Sequence, residues 1–410
     1  MKILHLADLH FGKSLHALSL IDSGDQKYWA DKTIEIIKEE RPQAVVIAGD
    51  VYDRGVPTRE AVQLFSGFLT RIAREEGIPV LITAGNHDGG ERLEFANEIL
   101  KDSHVYIAGT VSKEMMKVTL WDEYGPVHFW LMPFVFPAAV RTALETGEDE
   151  ISSYTEAVRR LLAEQPIDFS QRNVLVAHQM VMHGGCEPEH SDSESAVGGV
   201  GGIDSTVFEG FDYVALGHIH GAQKVGSERI RYAGAPLCYH FSEAGQKKGL
   251  LFVTVGPKGR ELQTETVTFA PLHRVRATVT GTLEEILRAE RETPSENEYI
   301  RVELTDDPVP EHAREQLAAV FETHGSRLLD LTAVRRMHRA EERQTRRAGE
   351  LSPFDFFEQF YEEQKGAQLS GHDRELLGIL SGQVLEHGDR TQEELEDILI
   401  SLLLEQEGGK

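Results

Sequence analysis

At 410 residues and 40% apolar side chains, the chain is too long for one ordinary core and suits two or three domains. Two cysteines (Cys186, Cys238), no secretory pattern after Met1, and a longest apolar stretch (Val127 to Val140) broken by Pro133 and Pro137 predict a reduced, cytoplasmic protein without a membrane span. The net charge of −26 argues against a uniformly basic nucleic-acid surface, but seventeen acids against seven bases fall between Glu341 and Lys410, so charge alone does not exclude DNA.

In chain order, Ile3 to Ala7, Ala44 to Ala48 and Pro79 to Thr83 are short, β-branched-rich apolar runs, each closed by Asp, Gly or Asn. Such runs predict buried strands of an α/β sheet. Between the second and third, Thr58 followed by Ala61, Leu64, Phe65, Phe68, Leu69, Ile72 and Ala73 predicts a capped amphipathic helix. Asn173 to Ala177 and Tyr213 to Leu216 repeat the strand pattern. Strand-like segments continue from Gly249 to Phe269. From Arg274 to Asp330 the order becomes strand, helix (Leu283 to Arg291), strand (Tyr299 to Leu304), helix (Glu311 to His324), as in a small α+β domain. The expected division is 1–270, a capping domain at 271–334, a charged linker at 335–352 and a helical segment at 353–410 that carries Phe354, Phe356, Phe357, Phe360 and Tyr361. No internal repeat is evident, and the one biased segment is the Gly/Ser/Glu-rich loop from Gly184 to Gly202.

The chemistry lies just past the predicted strand ends, where open α/β sheets gather ligands. Asp8-Leu9-His10 spaces two ligands so that an extended strand end would turn both to one side. Gly49-Asp50 sets a carboxylate on a tight turn, where its two oxygens could each face a different metal. Gly85-Asn86-His87-Asp88 offers an amide oxygen and, beside it, an imidazole free to address a substrate. His178 ends another strand, and Gly217-His218-Ile219-His220 adds two imidazoles expected on one strand face. Singly, these strings are ordinary turns or structural histidines; jointly they are a metal site. Hard oxygens with borderline nitrogens and no thiolate suit Mn²⁺, Fe²⁺ or Zn²⁺ better than Ca²⁺. Two ions about 3.5–4 Å apart would activate a water and stabilise an in-line phosphoryl transition state.

These strings resemble those of the calcineurin-like metallophosphoesterase superfamily, which implies an α/β fold of two sheets packed as a sandwich. The fuller strings Ala7 to Lys13, Phe211 to His220 and Gly234-Ala235-Pro236-Leu237 resemble the DNA-nuclease subunits within it. The resemblance implies one metal on Asp8, His10, Asp50 and His220, a second on Asp50, Asn86, His178 and His218, and Mn²⁺ as the expected ion. His87 would stabilise the phosphate or protonate the leaving oxygen, and the Asp53 carboxylate would orient it. It further implies action on double-strand DNA ends and hairpins, an ATPase partner docked on the C-terminal helices, and a homodimer within a heterotetramer that uses Leu64, Phe65 and Phe68.

Two alternatives stay open. Gly49 to Gly55 also resembles protein Ser/Thr phosphatases, in which an arginine at the place of Arg54 grips phosphate, so a phosphomonoesterase is possible; Asp88, where those enzymes usually carry Glu, stands against it. The aromatic C-terminal run alternatively suits a non-catalytic scaffold, although a scaffold has no need for seven metal-binding groups. Lys13, His183 and His240 read as surface or structural residues.

Overall fold

A computed structural model describes residues 1–147, 151–194 and 201–333. The linker at 335–352 and the aromatic segment at 353–410 lie outside the described residues.

Two six-stranded sheets form the body. The first runs, in spatial order, Gln263–Val267, Leu250–Thr254, Lys2–Leu6, Ala44–Ala48, Val80–Thr83, Val105–Ala108. The last four strands are mutually parallel, and Leu250–Thr254 pairs antiparallel with Lys2–Leu6. The second sheet runs Gln223–Val225, Ser227–Tyr232, Tyr213–Gly217, Arg172–His178, Gly125–Met132, Met116–Asp122, with its four inner strands parallel.

Alternation along each strand divides the core into layers, because successive side chains leave opposite faces of a sheet. Ile3, Val46 and Leu81 face the second sheet and pack with Phe129, Val174, Val176 and Ala215. Their neighbours Leu4, Val45, Ile47 and Ile82 face outward under Trp29 and Ile34 of the helix Asp25–Glu40 and Phe65 and Phe68 of the helix Arg59–Thr70. On the far side, Trp130, Leu175 and Val214 pack beneath Val140 of Pro137–Leu144 and Val158 and Leu161 of Tyr154–Ala163. The result is a helix–sheet–sheet–helix sandwich, the two-sheet α/β class expected.

The expected cap holds: Thr58 Oγ1 accepts from the Ala61 amide at 3.3 Å. Phe65 and Phe68 correct the expected dimer face, since both are buried against Phe11, with Phe68 also against Trp29. Leu64 is half-buried against the same core.

Past residue 273 a separate small sheet begins. Arg274–Val275, Val279–Gly281 and Arg327–Ala333 all pair with the central strand Glu298–Leu304. The helices Leu283–Glu292 and Ala313–Glu322 cover it around a core of Ile286, Ile300, Val302, Leu317 and Phe321. Thr282 and Glu285 form a reciprocal capping box at the start of the first of these helices. Among the described residues, no helix is long and apolar enough to cross a membrane.

Candidate metal centre

Each predicted ligand lies at or just past the carboxyl end of a parallel strand, and the sandwich brings both sheets' ends to one rim. Asp8 and His10 follow Lys2–Leu6, Asp50 follows Ala44–Ala48, and Asn86 and His87 follow Val80–Thr83. His178 closes its own strand, while His218 and His220 follow Tyr213–Gly217.

The convergence does not come from extended strand ends. Asp8 (φ 52°), His10 (φ 43°), Asp50 (φ 49°) and His218 (φ 103°) all have positive φ, a strained conformation for side chains with a Cβ. The turns are locked to one another: the Asp8 amide donates to the Gly49 carbonyl at 3.1 Å and the His10 amide to the Asp50 carbonyl at 2.9 Å. His218 and His220 do not share a strand face either. His218 stands by Asn86 and His178, whereas His220 stands by Asp8 and His10.

Asp50 is the shared centre, through one oxygen rather than two. Its Oδ1 accepts from the His87 amide at 2.9 Å, while Oδ2 lies 3.5 Å from His10 Nε2 and 3.3 Å from His178 Nε2. On one side Asp8, His10 and His220 bring ligand atoms within 4.8 Å of one another. On the other, Asn86 Oδ1 lies 3.1 Å from His178 Nε2 and 3.2 Å from His218 Nδ1. His178 Nδ1 meets the Ala48 carbonyl at 2.8 Å, which fixes the proton there and leaves Nε2 as a lone-pair donor.

The donor set fits divalent cations on a structural observation: both ring nitrogens of buried His10 lack a hydrogen-bond partner. A buried imidazole in that state is costly unless something else takes its lone pair. The electrostatics agree. Burial pushes the Asp8 carboxyl up to about 7 against the pull of His178 and His220. Burial would likewise raise Asp50, but His178 and His10 hold it below the usual carboxylate range. Burial opposes charge on His178, yet Asp50 and Asp8 hold its pKa up at about 9. Burial keeps His10 well below its ordinary value and His218 at about 3, so both stand as neutral donors.

Comparison with known proteins places this arrangement. Residues 1–222, more than half of the chain, match the family model described as calcineurin-like phosphoesterase. The chain belongs to the calcineurin-like phosphoesterase family. As such it is a metal-dependent phosphoesterase. Residues 268–365 match the model described as the type 5 capsule protein repressor C-terminal domain (SbcD_C). Within the family the chain falls with the SbcD subunits of the nuclease SbcCD. It is 33% identical to the SbcD nuclease subunit of Staphylococcus saprophyticus over 74% of this chain and 78% of that protein. It is 32% identical to its counterpart in Staphylococcus epidermidis over 75% of this chain and 79% of that protein. A solved calcineurin-like phosphoesterase, YfkN of Bacillus subtilis, is 14% identical over 65% of this chain and 90% of that one, with a TM-score of 0.35.

The remaining predicted residues of this phosphoesterase lie at the edge of the cluster. His87 is held through Nδ1 by the main-chain carbonyl of Asp53 at 2.9 Å, not by the Asp53 carboxylate as the resemblance implied. That carboxylate instead accepts from Lys13 at 2.8 Å and lies 3.6 Å from Arg54. Lys13 is therefore part of the rim and not a loose surface charge. The Arg54 side chain is 65% exposed.

Sequence reading missed the groups that hold the ligands. The Asp88 carboxylate accepts from the amides of Val51 (3.1 Å), Tyr52 (2.9 Å) and Gly85 (2.9 Å), tying two ligand loops together. Glu243 accepts from His220 Nδ1 at 3.0 Å, and Glu194 from the His220 amide. Phe134 packs edge-on to His178, centroids 6.1 Å apart, and lies as close to His218. Asp88 could have been found from its adjacency to His87; Glu243 sits in an undistinguished loop, and no local signal marks it.

Proposed function

We propose that the chain is the nuclease subunit of an ATP-dependent DNA nuclease, hydrolysing phosphodiesters at double-strand ends and hairpins with two Mn²⁺. The reading is carried by one observation: seven ligand side chains from five loops of two sheets meet around Asp50 Oδ2. Asp8, His10, Asp50 and His220 would hold one ion, and Asp50, Asn86, His178 and His218 the other. Bound there, the ions would supply an activated water and a positive clamp on the phosphoryl oxygens.

The chain's own part is positioning. With Nδ1–H donating to the Asp53 carbonyl, His87 presents Nε2 to the substrate, where it would stabilise the phosphate or protonate the leaving oxygen. Asp53 acts in this scheme by turning its carbonyl to His87 and its carboxylate to Lys13. The names of the relatives support DNA as substrate and an SbcC-type ATPase as partner. On this reading residues 1–270 are the nuclease domain, 271–334 the capping domain, 335–352 a linker and 353–410 the docking segment, in a cytoplasmic heterotetramer built on a homodimer. Phe95, 81% exposed, and Ile99 offer that second copy the apolar surface that Phe65 and Phe68 do not.

The exposed Arg54 beside the rim favours one competing reading, a phosphomonoesterase. Hydrolysis of bis-p-nitrophenyl phosphate with Mn²⁺ should exceed that of p-nitrophenyl phosphate; the reverse ratio selects the monoesterase. Inactivity on both with metal bound selects a scaffold. A linear duplex should be degraded faster with the ATPase partner and ATP than without them.

A further inference from the structure

The two halves of the centre differ in how their histidines are held. His178 is oriented by a neutral main-chain carbonyl. His220 is oriented by a carboxylate, and that carboxylate has an elaborate support. Glu243 is fully buried, and its Oε1 lies 3.0 Å from His220 Nδ1. Its Oε2 accepts from Lys248 Nζ at 2.7 Å and from the Tyr239 amide at 3.3 Å. Lys248 also donates to the His220 carbonyl at 3.0 Å and to Gln246 Oε1 at 2.7 Å, gripping the main chain of the histidine whose ring Glu243 holds. Ser191 Oγ adds a contact to Glu243 Oε1 at 3.4 Å.

Burying a carboxylate costs several kcal/mol unless it is paired and hydrogen-bonded. Lys248 supplies the pairing, so Glu243 adds no net charge to the core while still polarising one imidazole. A carboxylate on the far nitrogen of a ligand histidine fixes the tautomer, sets the ring plane and raises the basicity of the nitrogen facing the metal. Here that nitrogen is Nε2, on the side of Asp8 and His10.

We propose that Glu243, locked by Lys248, is a positioning residue that makes the Asp8–His10–His220 half of the centre the tighter of the two cation sites. This rests on the two-metal reading above. The test is a Mn²⁺ titration of the full metal-free chain, following free Mn²⁺ by electron paramagnetic resonance, for wild type, Glu243→Gln and His178→Ala. Wild type should bind two ions with unequal affinity. Glu243→Gln should weaken the tighter site roughly ten- to hundred-fold and leave the other unchanged. His178→Ala should weaken the looser site instead. Equal affinities in wild type, or two wild-type affinities in Glu243→Gln, overturn the proposal, whereas a wild type that binds no Mn²⁺ overturns the two-metal reading itself. Should Glu243→Gln not fold, Lys248→Met takes its place: selective loss at the tighter site supports the proposal, and unchanged binding overturns it.

Discussion

The shape of the centre is held by residues that leave no room for a Cβ. One built on Gly85 would lie 2.1 Å from Asp50 Oδ1, and Gly49, at φ 80°, would bring its own within 2.2 Å of His178 Nδ1. Gly85→Ala is therefore expected to displace the shared carboxylate and cost roughly 10²-fold in phosphodiester hydrolysis, with weakened Mn²⁺ binding measured alongside. His87→Gln should behave differently: hydrolysis falls by roughly 10²–10⁴-fold while both ions still bind, because His87 contributes its amide, not its ring, to Asp50. Protons compete with the metals. Since the His178 pKa is held at about 9, the metal-free chain carries a proton there at neutral pH that metal must displace. Mn²⁺ affinity should thus rise with pH from 6 to about 9, and calorimetry at pH 7 in buffers of different ionisation enthalpy should detect proton release.

Between elements, single buried ion pairs tie strands that the ladders alone do not. Asp122, ending Met116–Asp122, receives Arg172, at the start of Arg172–His178, at 2.6 and 2.9 Å across an intervening strand. Arg172 also donates to the Gly125 carbonyl at 2.7 Å, so three strands share one guanidinium. That bidentate pairing holds the Asp122 carboxyl far below the usual range. A depressed acid stabilises the fold above its unfolded pKa of about 4 and loses that contribution as pH falls through its folded value. Asp122→Asn should consequently cost about 3 kcal/mol in urea unfolding at pH 7, with a deficit that shrinks progressively below about pH 4.

Across the whole molecule, one buried carboxylate joins the sandwich to the small sheet. Asp25, opening the helix Asp25–Glu40, accepts from Tyr299 Oη at 2.6 Å, from His273 Nδ1 at 3.1 Å and from the His273 amide at 3.2 Å. Tyr299 lies on the central strand of the small sheet, and its ring joins the core beneath that helix. Asp25→Ala should leave the metal centre intact but free the small sheet. Hydrogen exchange would read this as lost protection in Glu298–Leu304 with protection in Ala44–Ala48 unchanged.

The apolar runs, the Thr58 cap and the ligand types were legible because each depends on neighbours within a few residues. Strand Ala44–Ala48 begins and ends where its composition says it should. The ligand inventory was legible for a related reason: metal chemistry restricts the side chains that can serve, and each stands beside a strand end. What the local pattern misjudged was direction. The positive φ of Asp8, His10, Asp50 and His218, the split of His218 and His220 between two half-sites, and the turning of Asp53 away from His87 all depend on contacts between loops far apart in the chain. The same holds for Glu243 on His220, Asp88 across two loops and Asp25 under Tyr299. By itself, then, the order of residues determined which groups could bind metal and which segments would be strands. The packing of two sheets decided how those groups face one another, because strain in a ligand turn and burial of a carboxylate are stable only where the rest of the fold supplies the partner.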